Sequence, residues 1–193
     1  IHPVRLPDLN QLGTHRVRYR SKRNLLDDHC LIGKACKMKG GAIKVADYLV
    51  IGGGSGGIAS ARRAASYGAK VILIEQKVLG GTCVNVGCVP KKIMWEAASI
   101  RETLNDAKDY GFNIKEGIEF DYPSLKAKRQ AYIARLNGIY ASNLEKDGIE
   151  LINGVATFTG EMGDESNDGT PLVAVNDMII KSKKILLSTG SYA

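Results

Sequence analysis

Cys83 and Cys88 stand five residues apart in the run Gly80-Gly-Thr-Cys83-Val-Asn-Val-Gly-Cys88-Val-Pro-Lys91-Lys92. Thiols this close along a chain can staple it, hold a metal or exchange electrons. On a regular helix their Cα atoms would be roughly 8–9 Å apart from its rise and radius, whereas a disulfide spans no more than about 6.8 Å. A bond here therefore needs a distorted turn, which Gly87 and Pro90 provide for, and strain in such a turn favours reduction. Three readings are open. A structural disulfide closing so short a loop constrains the unfolded chain little. A zinc site needs further ligands, and no other Cys or His lies nearby in sequence. A redox dithiol uses the glycines, the proline and the preceding segment together.

That preceding segment carries Gly52-Gly-Gly54-Ser-Gly-Gly57, which fits G-x-G-x-x-G. In such a pattern Gly52 permits a tight turn, Gly54 lets a pyrophosphate approach the backbone, and Gly57 lets helix and strand pack closely. The helix start offers free N–H groups and a positive dipole end to phosphates. Glu75, 23 positions after Gly52, is placed to accept hydrogen bonds from an adenosine ribose. The pattern points to a dinucleotide without separating FAD from NAD.

The elements that must position these residues follow from periodicity. Asp47–Ile51 and Lys70–Glu75 are short apolar runs expected as buried strands, with an Ala-rich helix from Ser55 to Tyr67 between them, closed by Gly68. Strand, glycine turn, helix and strand make a βαβ unit. A second helix is expected from near Val89 to Tyr110, with Ile93, Ala97, Ile100 and Leu104 on one face. A third starts at Pro123 and ends before Gly148. Its stripe of Leu125, Tyr132, Leu136, Ile139 and Leu144 reads mainly as core packing. Short strands are expected at Ile149–Asn153, Val155–Phe158, Leu172–Val175 and Lys184–Ser188, with an exposed loop over Glu161–Thr170.

The chain has 193 residues, 44% of them hydrophobic and 24% charged, enough for one medium domain with its own core. The net charge of +7 resides wholly in residues 1–45, because residues 46–193 balance. A nucleic-acid interface needs a basic face on the folded part, so none is expected. No apolar run reaches the length of a membrane span. Residues 1–44 read as a basic leader, disordered or non-native, ahead of a domain at 45–193. Arg16, Arg18, Arg20, Lys22 and Arg23 also fit a targeting remnant, although serine is scarce and Asp8, Asp27 and Asp28 are present. Cys30, Cys36, His2, His15 and His29 all fall in that leader.

Gly-Gly-Thr-Cys-x4-Cys-x-Pro-Lys behind a βαβ glycine cradle resembles the flavin-dependent pyridine-nucleotide disulfide oxidoreductases. Val86-Gly-Cys88-Val-Pro-Lys-Lys-Ile-Met-Trp95, Ala59-Ser-Ala-Arg62-Arg63 and the stretch Lys128–Leu144 are most similar to members that reduce glutathione disulfide. The resemblance covers roughly residues 45–193. It implies an α/β, Rossmann-like FAD-binding domain of three layers, a parallel sheet with helices and a small β-meander. It implies FAD contacts from Gly52, Gly54, Ser55, Gly56, Gly57, Glu75, Thr82, Cys83, Lys91, Ala156, Thr189 and Gly190. Cys83 would be the interchange thiol and Cys88 the thiol facing the flavin, with Lys91 near the flavin ring. Ser55, Arg62 and Tyr140 would contact glutathione disulfide. A guanidinium suits a substrate carboxylate, although such an arginine is ordinarily a solvated face and such a tyrosine ordinarily core.

The resemblance further implies NADPH as electron donor, bound by a domain beyond this chain, together with an interface domain, a homodimer, and a base histidine from the partner subunit. The chain alone is then expected to be inactive. The alternatives are a thioredoxin or trypanothione reductase of the same family, or a non-catalytic FAD-binding redox module. Redox thiols belong in reducing compartments, here the cytoplasm, with mitochondrion and plastid as the others.

Overall fold

Ala42–Ile51 forms strand β1, in which Leu49 and Val50 are wholly buried. The computed structural model describes residues 42–114, 118–162 and 170–191. Helix α1 (Ser55–Ser66) leads to β2 (Val71–Glu75), which is buried along its whole length as befits a central parallel strand. Then come α2 (Gly81–Asn85), α3 (Cys88–Asp106) with a 3-10 turn at Ala107–Tyr110, and α4 (Tyr122–Lys146). Asp121 caps α4 by accepting from the Ser124 N–H at 3.0 Å, and Pro123 sits in the first turn, where its missing N–H costs nothing. Strands β3 (Glu150–Asn153), β4 (Thr157–Met162), β5 (Pro171–Val175) and β6 (Met178–Leu187) complete the described elements.

The strands form one sheet in the order β3-β2-β1-β6-β5-β4. β3, β2, β1 and β6 run parallel, while β6, β5 and β4 form an antiparallel meander. The α/β architecture is as expected, and the meander shares β6 with the parallel part. Because alternate strand residues face opposite sides, β1 and β2 feed two cores. Val50, Val71 and Leu73 pack with Ile58 and Ala61 of α1 and Leu144 of α4. Leu49, Ile51, Ile72 and Ile74 pack on the other face with Val173, Val175 and Ile180 of the meander.

Four expectations are corrected. β6 begins at Met178, six residues before the expected Lys184, because the interspersed Lys181, Lys183 and Lys184 mask an alternating strand whose Ile180 and Ser182 are buried. β1 begins at Ala42, its first half paired with the first half of β6 from Ala42↔Met178 onward, so the domain's first strand starts three residues before Val45. The α4 stripe is not a core face: only Leu144 is buried, and Tyr132 and Ile139 are exposed. No described residue of α3 is buried either. Residues 1–41 of the expected leader and 163–169 of the expected loop lie outside the described residues, while Glu161 and Met162 belong to β4. Among the described residues no helix is long and apolar enough to cross a membrane.

Candidate functional site

The parallel strands end together on one edge, where Ile51 is in register with Ile74 and with Leu187, and Glu75 with Asn153. Ligands of doubly wound sheets bind outside such carboxyl ends, and the glycine turn leaves β1 there. Gly52 has a φ of 111° and donates its N–H to Ile74 at 2.8 Å. At Gly57 an added Cβ would lie 1.9 Å from the Gly52 carbonyl, so α1 can start against β1 only with glycine there. At Gly56 a Cβ would meet nothing, and at Gly54 only Gly81 Cα at 3.7 Å. A bare backbone surface is therefore open over the α1 N-terminus, whose first N–H groups have no intrahelical acceptor. These residues fit a dinucleotide.

Glu75 ends β2 almost fully buried, and its carboxylate accepts from the Gly53 N–H at 2.6 Å and the Lys77 N–H at 2.7 Å. A carboxylate offers about four acceptor positions, so room remains for hydroxyls. The Gly154 N–H donates to the Glu75 carbonyl at 2.9 Å, which brings the β3–β4 connection holding Ala156 to this edge. Thr189 and Gly190 lie just beyond the end of β6, and both are exposed. Between them and β6 stands Ser188, whose hydroxyl donates to the Gly52 carbonyl at 2.9 Å and lies 3.1 Å from that of Ile51. Ser188 thus pins the glycine turn from 136 residues away.

The cysteine segment is seated on this turn. The Gly80 N–H donates to the Gly53 carbonyl at 2.8 Å. Gly81, with φ +58°, comes so close that an added Cβ would be 2.8 Å from Gly54 Cα. α2 then stops at Asn85, the chain breaks from helical geometry at Val86 and Gly87, and α3 restarts at Cys88. The two cysteines lie on either side of this break, Cys83 half-buried, Cys88 exposed, both as free thiols. The Cys88 side chain hydrogen-bonds the Cys83 thiol and, with burial, raises its pKa above the ordinary value, while hydrogen bonds from the Cys88 backbone and then Ser55 oppose the rise. Ser55, Cys83 and Cys88 are thereby brought together. Thr82 is exposed beside them, and Lys91, one turn into α3, lines a cavity of about 310 Å3 with Lys92 and Trp95.

Arg62 and Tyr140 are not brought together in the same way. Arg62 is exposed, pairs with Asp147 at 2.5 Å, and lines a cleft of about 450 Å3 with Ala59, Arg63, Ala65, Ser66 and Asp147. Tyr140 packs against the helix-side core. Sequence reasoning missed Ser188, Asp147, Asn85 and Asn137. The amide of Asn137 on α4 donates to Asn85 at 3.1 Å and to the Leu79 carbonyl at 2.8 Å. Nothing in a single sequence marks such cross-chain partners. Among the described residues no cluster of His, Cys, Asp and Glu could hold a metal.

Residues 46–193 match the family model described as pyridine nucleotide-disulphide oxidoreductase. Over 152 residues the chain is 55% identical to a protein named glutathione reductase from Yarrowia lipolytica, covering 75% of the chain and 32% of that relative. It is 51% identical over 152 residues to the protein of that name from Schizosaccharomyces pombe, covering 77% and 32%. With the one from Debaryomyces hansenii it shares 47% over 171 residues, covering 79% and 35%. The chain spans about a third of the length of these relatives.

Proposed function

The chain belongs to the pyridine nucleotide-disulphide oxidoreductase family, and from that premise we propose that it serves the reduction of glutathione disulfide through Cys83 and Cys88. FAD is its cofactor, and NADPH is the source of electrons. The reading rests on the seating of the cysteine segment directly on the glycine turn, through Gly80, Gly81, Gly53 and Gly54. A thiol pair and a dinucleotide cradle in one contact are what electron exchange between them requires. The names of the three relatives favour glutathione disulfide over the disulfides of thioredoxin or trypanothione.

Gly52, Gly54, Ser55, Gly56, Gly57, Glu75, Thr82, Ala156, Thr189 and Gly190 would hold FAD along the sheet edge, with Cys83 and Lys91 at its reactive end. When bound, FAD supplies two-electron reduction of the cysteine disulfide. The chain's own residues do the rest. Cys83 loses its proton to a base, and its thiolate attacks one sulfur of glutathione disulfide, forming a mixed disulfide and releasing one glutathione thiolate. Cys88 then attacks the Cys83 sulfur, closing the protein disulfide and releasing the second glutathione. Two electrons pass from the thiol pair to the substrate, and the two thiol protons finish on the two glutathiones. Because the Cys83 thiol is held above its ordinary range, little of it is thiolate at neutral pH, so a base speeds the attack although the slow exchange proceeds without one, and Ser55 steadies the thiolate. Arg62 would clamp a substrate carboxylate, with Tyr140 beneath. A homodimer would cover the exposed apolar residues of α3 and α4, among them Trp95, Ile100 and Tyr132, and a reducing compartment such as the cytoplasm would suit the thiols.

The half-reaction tests this on the chain itself. The chain is purified with FAD, reduced, freed of reductant and mixed anaerobically with glutathione disulfide. The expected result is retained flavin, two glutathiones released by this pair, and a Cys83–Cys88 disulfide in the peptide map. Retained flavin with no oxidation of the pair would overturn the reading, as would a chain that takes up no flavin.

A further inference from the structure

Cys83 and Cys88 belong to different helices, and the first of these, α2, is only five residues long. A helix that short does not hold itself together in water. Its start is tied to the glycine turn by Gly80, and Val84 is buried. Its last residue, Asn85, stands immediately before the break that separates the two thiols. There the side-chain amide of Asn85 donates to the carbonyls of Gly81 at 2.9 Å and Leu79 at 3.1 Å. Asn137, from the middle of α4, donates to the same Leu79 carbonyl at 2.8 Å and to the Asn85 side-chain oxygen at 3.1 Å. Carbonyls only accept, so both amides must turn their nitrogens inward, and the network has a single satisfied arrangement.

We propose that Asn137 is a positioning residue for the dithiol: by clamping the Asn85 end of α2 to α4, it holds Cys83 close enough to Cys88 for the pair to close readily. The proposal rests on the redox reading of that pair. Closure by glutathione disulfide converts two thiols and one disulfide into one protein disulfide and two glutathiones, so its equilibrium measures the effective concentration of one protein sulfur at the other. Groups fixed in a reactive geometry have high effective concentrations, and freedom lowers them. Loss of the clamp frees the break at Val86 and Gly87, so closure becomes less favourable. Dithiol and disulfide then balance only in a more oxidising buffer.

The test equilibrates the 193-residue chain anaerobically in buffers of graded glutathione and glutathione disulfide, quenches with acid, alkylates free thiols and maps the peptide holding both cysteines. Asn137→Ala removes the clamp. Asn137→Asp keeps the shape but cannot donate. Both are expected to move the midpoint about tenfold toward oxidising conditions, a potential change of about 30 mV, with circular dichroism unchanged. Asn85→Ala removes the oxygen on which Asn137 closes the clamp and carries the same expectation should a variant at Asn137 not fold. Folded variants with the wild-type midpoint would overturn the proposal, and so would an Asn137→Asp chain that behaves as wild type. A wild-type pair that never closes would instead overturn the redox reading on which the proposal stands.

Discussion

At the residue scale, the chemistry of Cys83 is set by its neighbours. The Cys88 side chain favours the protonated thiol, and the Cys88 backbone and Ser55 oppose it. A raised pKa leaves less thiolate at neutral pH, and thiolate is the species that reacts. In the reduced chain, alkylation of Cys83 by iodoacetamide is therefore expected to rise with pH later than that of an ordinary thiol. Cys88→Ala should move the profile to lower pH, and Ser55→Ala to higher pH, as followed by mass spectrometry of the Cys83 peptide. Glu75 gives a second expectation. Glu75→Ala leaves the Gly53 and Lys77 N–H groups without their acceptor, at a cost of about 1–3 kcal/mol for a buried group. Urea unfolding measures the loss of stability, and flavin uptake should weaken with it. Cysteines and cradle were legible because each is a local motif whose spacing carries its chemistry. Ser188 and Asn137 were not, because their partners lie 136 and 52 residues away in sequence, and only the folded sheet brings them together.

At the element scale, the α1 start is held by Gly57, where a Cβ would run into the Gly52 backbone. Gly57→Ala is expected to push α1 off β1 and abolish flavin uptake even where the chain stays folded, a result that flavin absorbance after gel filtration would show. Along α4 the stripe divides sharply. Leu144 is 1% exposed and Ile139 is 40% exposed. Leu144→Ala should cost about 2–5 kcal/mol as a core truncation, and Ile139→Ala within about 0.5 kcal/mol as a surface change, both read from urea midpoints. The existence and order of most elements could be read from apolar periodicity and glycine stops. The first half of β6 could not, because lysines alternate with its inward residues. Nor could the exposure of the α4 face, because periodicity marks an apolar stripe without saying what covers it.

At the scale of the whole molecule, one sheet edge gathers residues from the first strand to the last, and α3 and α4 leave apolar side chains outside. Trp95, the single tryptophan, is 65% exposed on α3. Its fluorescence in the isolated chain is expected at the wavelength of indole in water and open to quenching by iodide. A blue-shifted, protected emission would mean that another surface covers α3. The most direct test of the central claim counts electrons. The oxidised, flavin-loaded chain is titrated anaerobically with a strong reductant beside its Cys88→Ser variant, and the cysteine peptide is mapped at each step. The wild type should take up twice the reducing equivalents of the variant, half by flavin and half by the Cys83–Cys88 disulfide. Equal uptake by the two chains would contradict it.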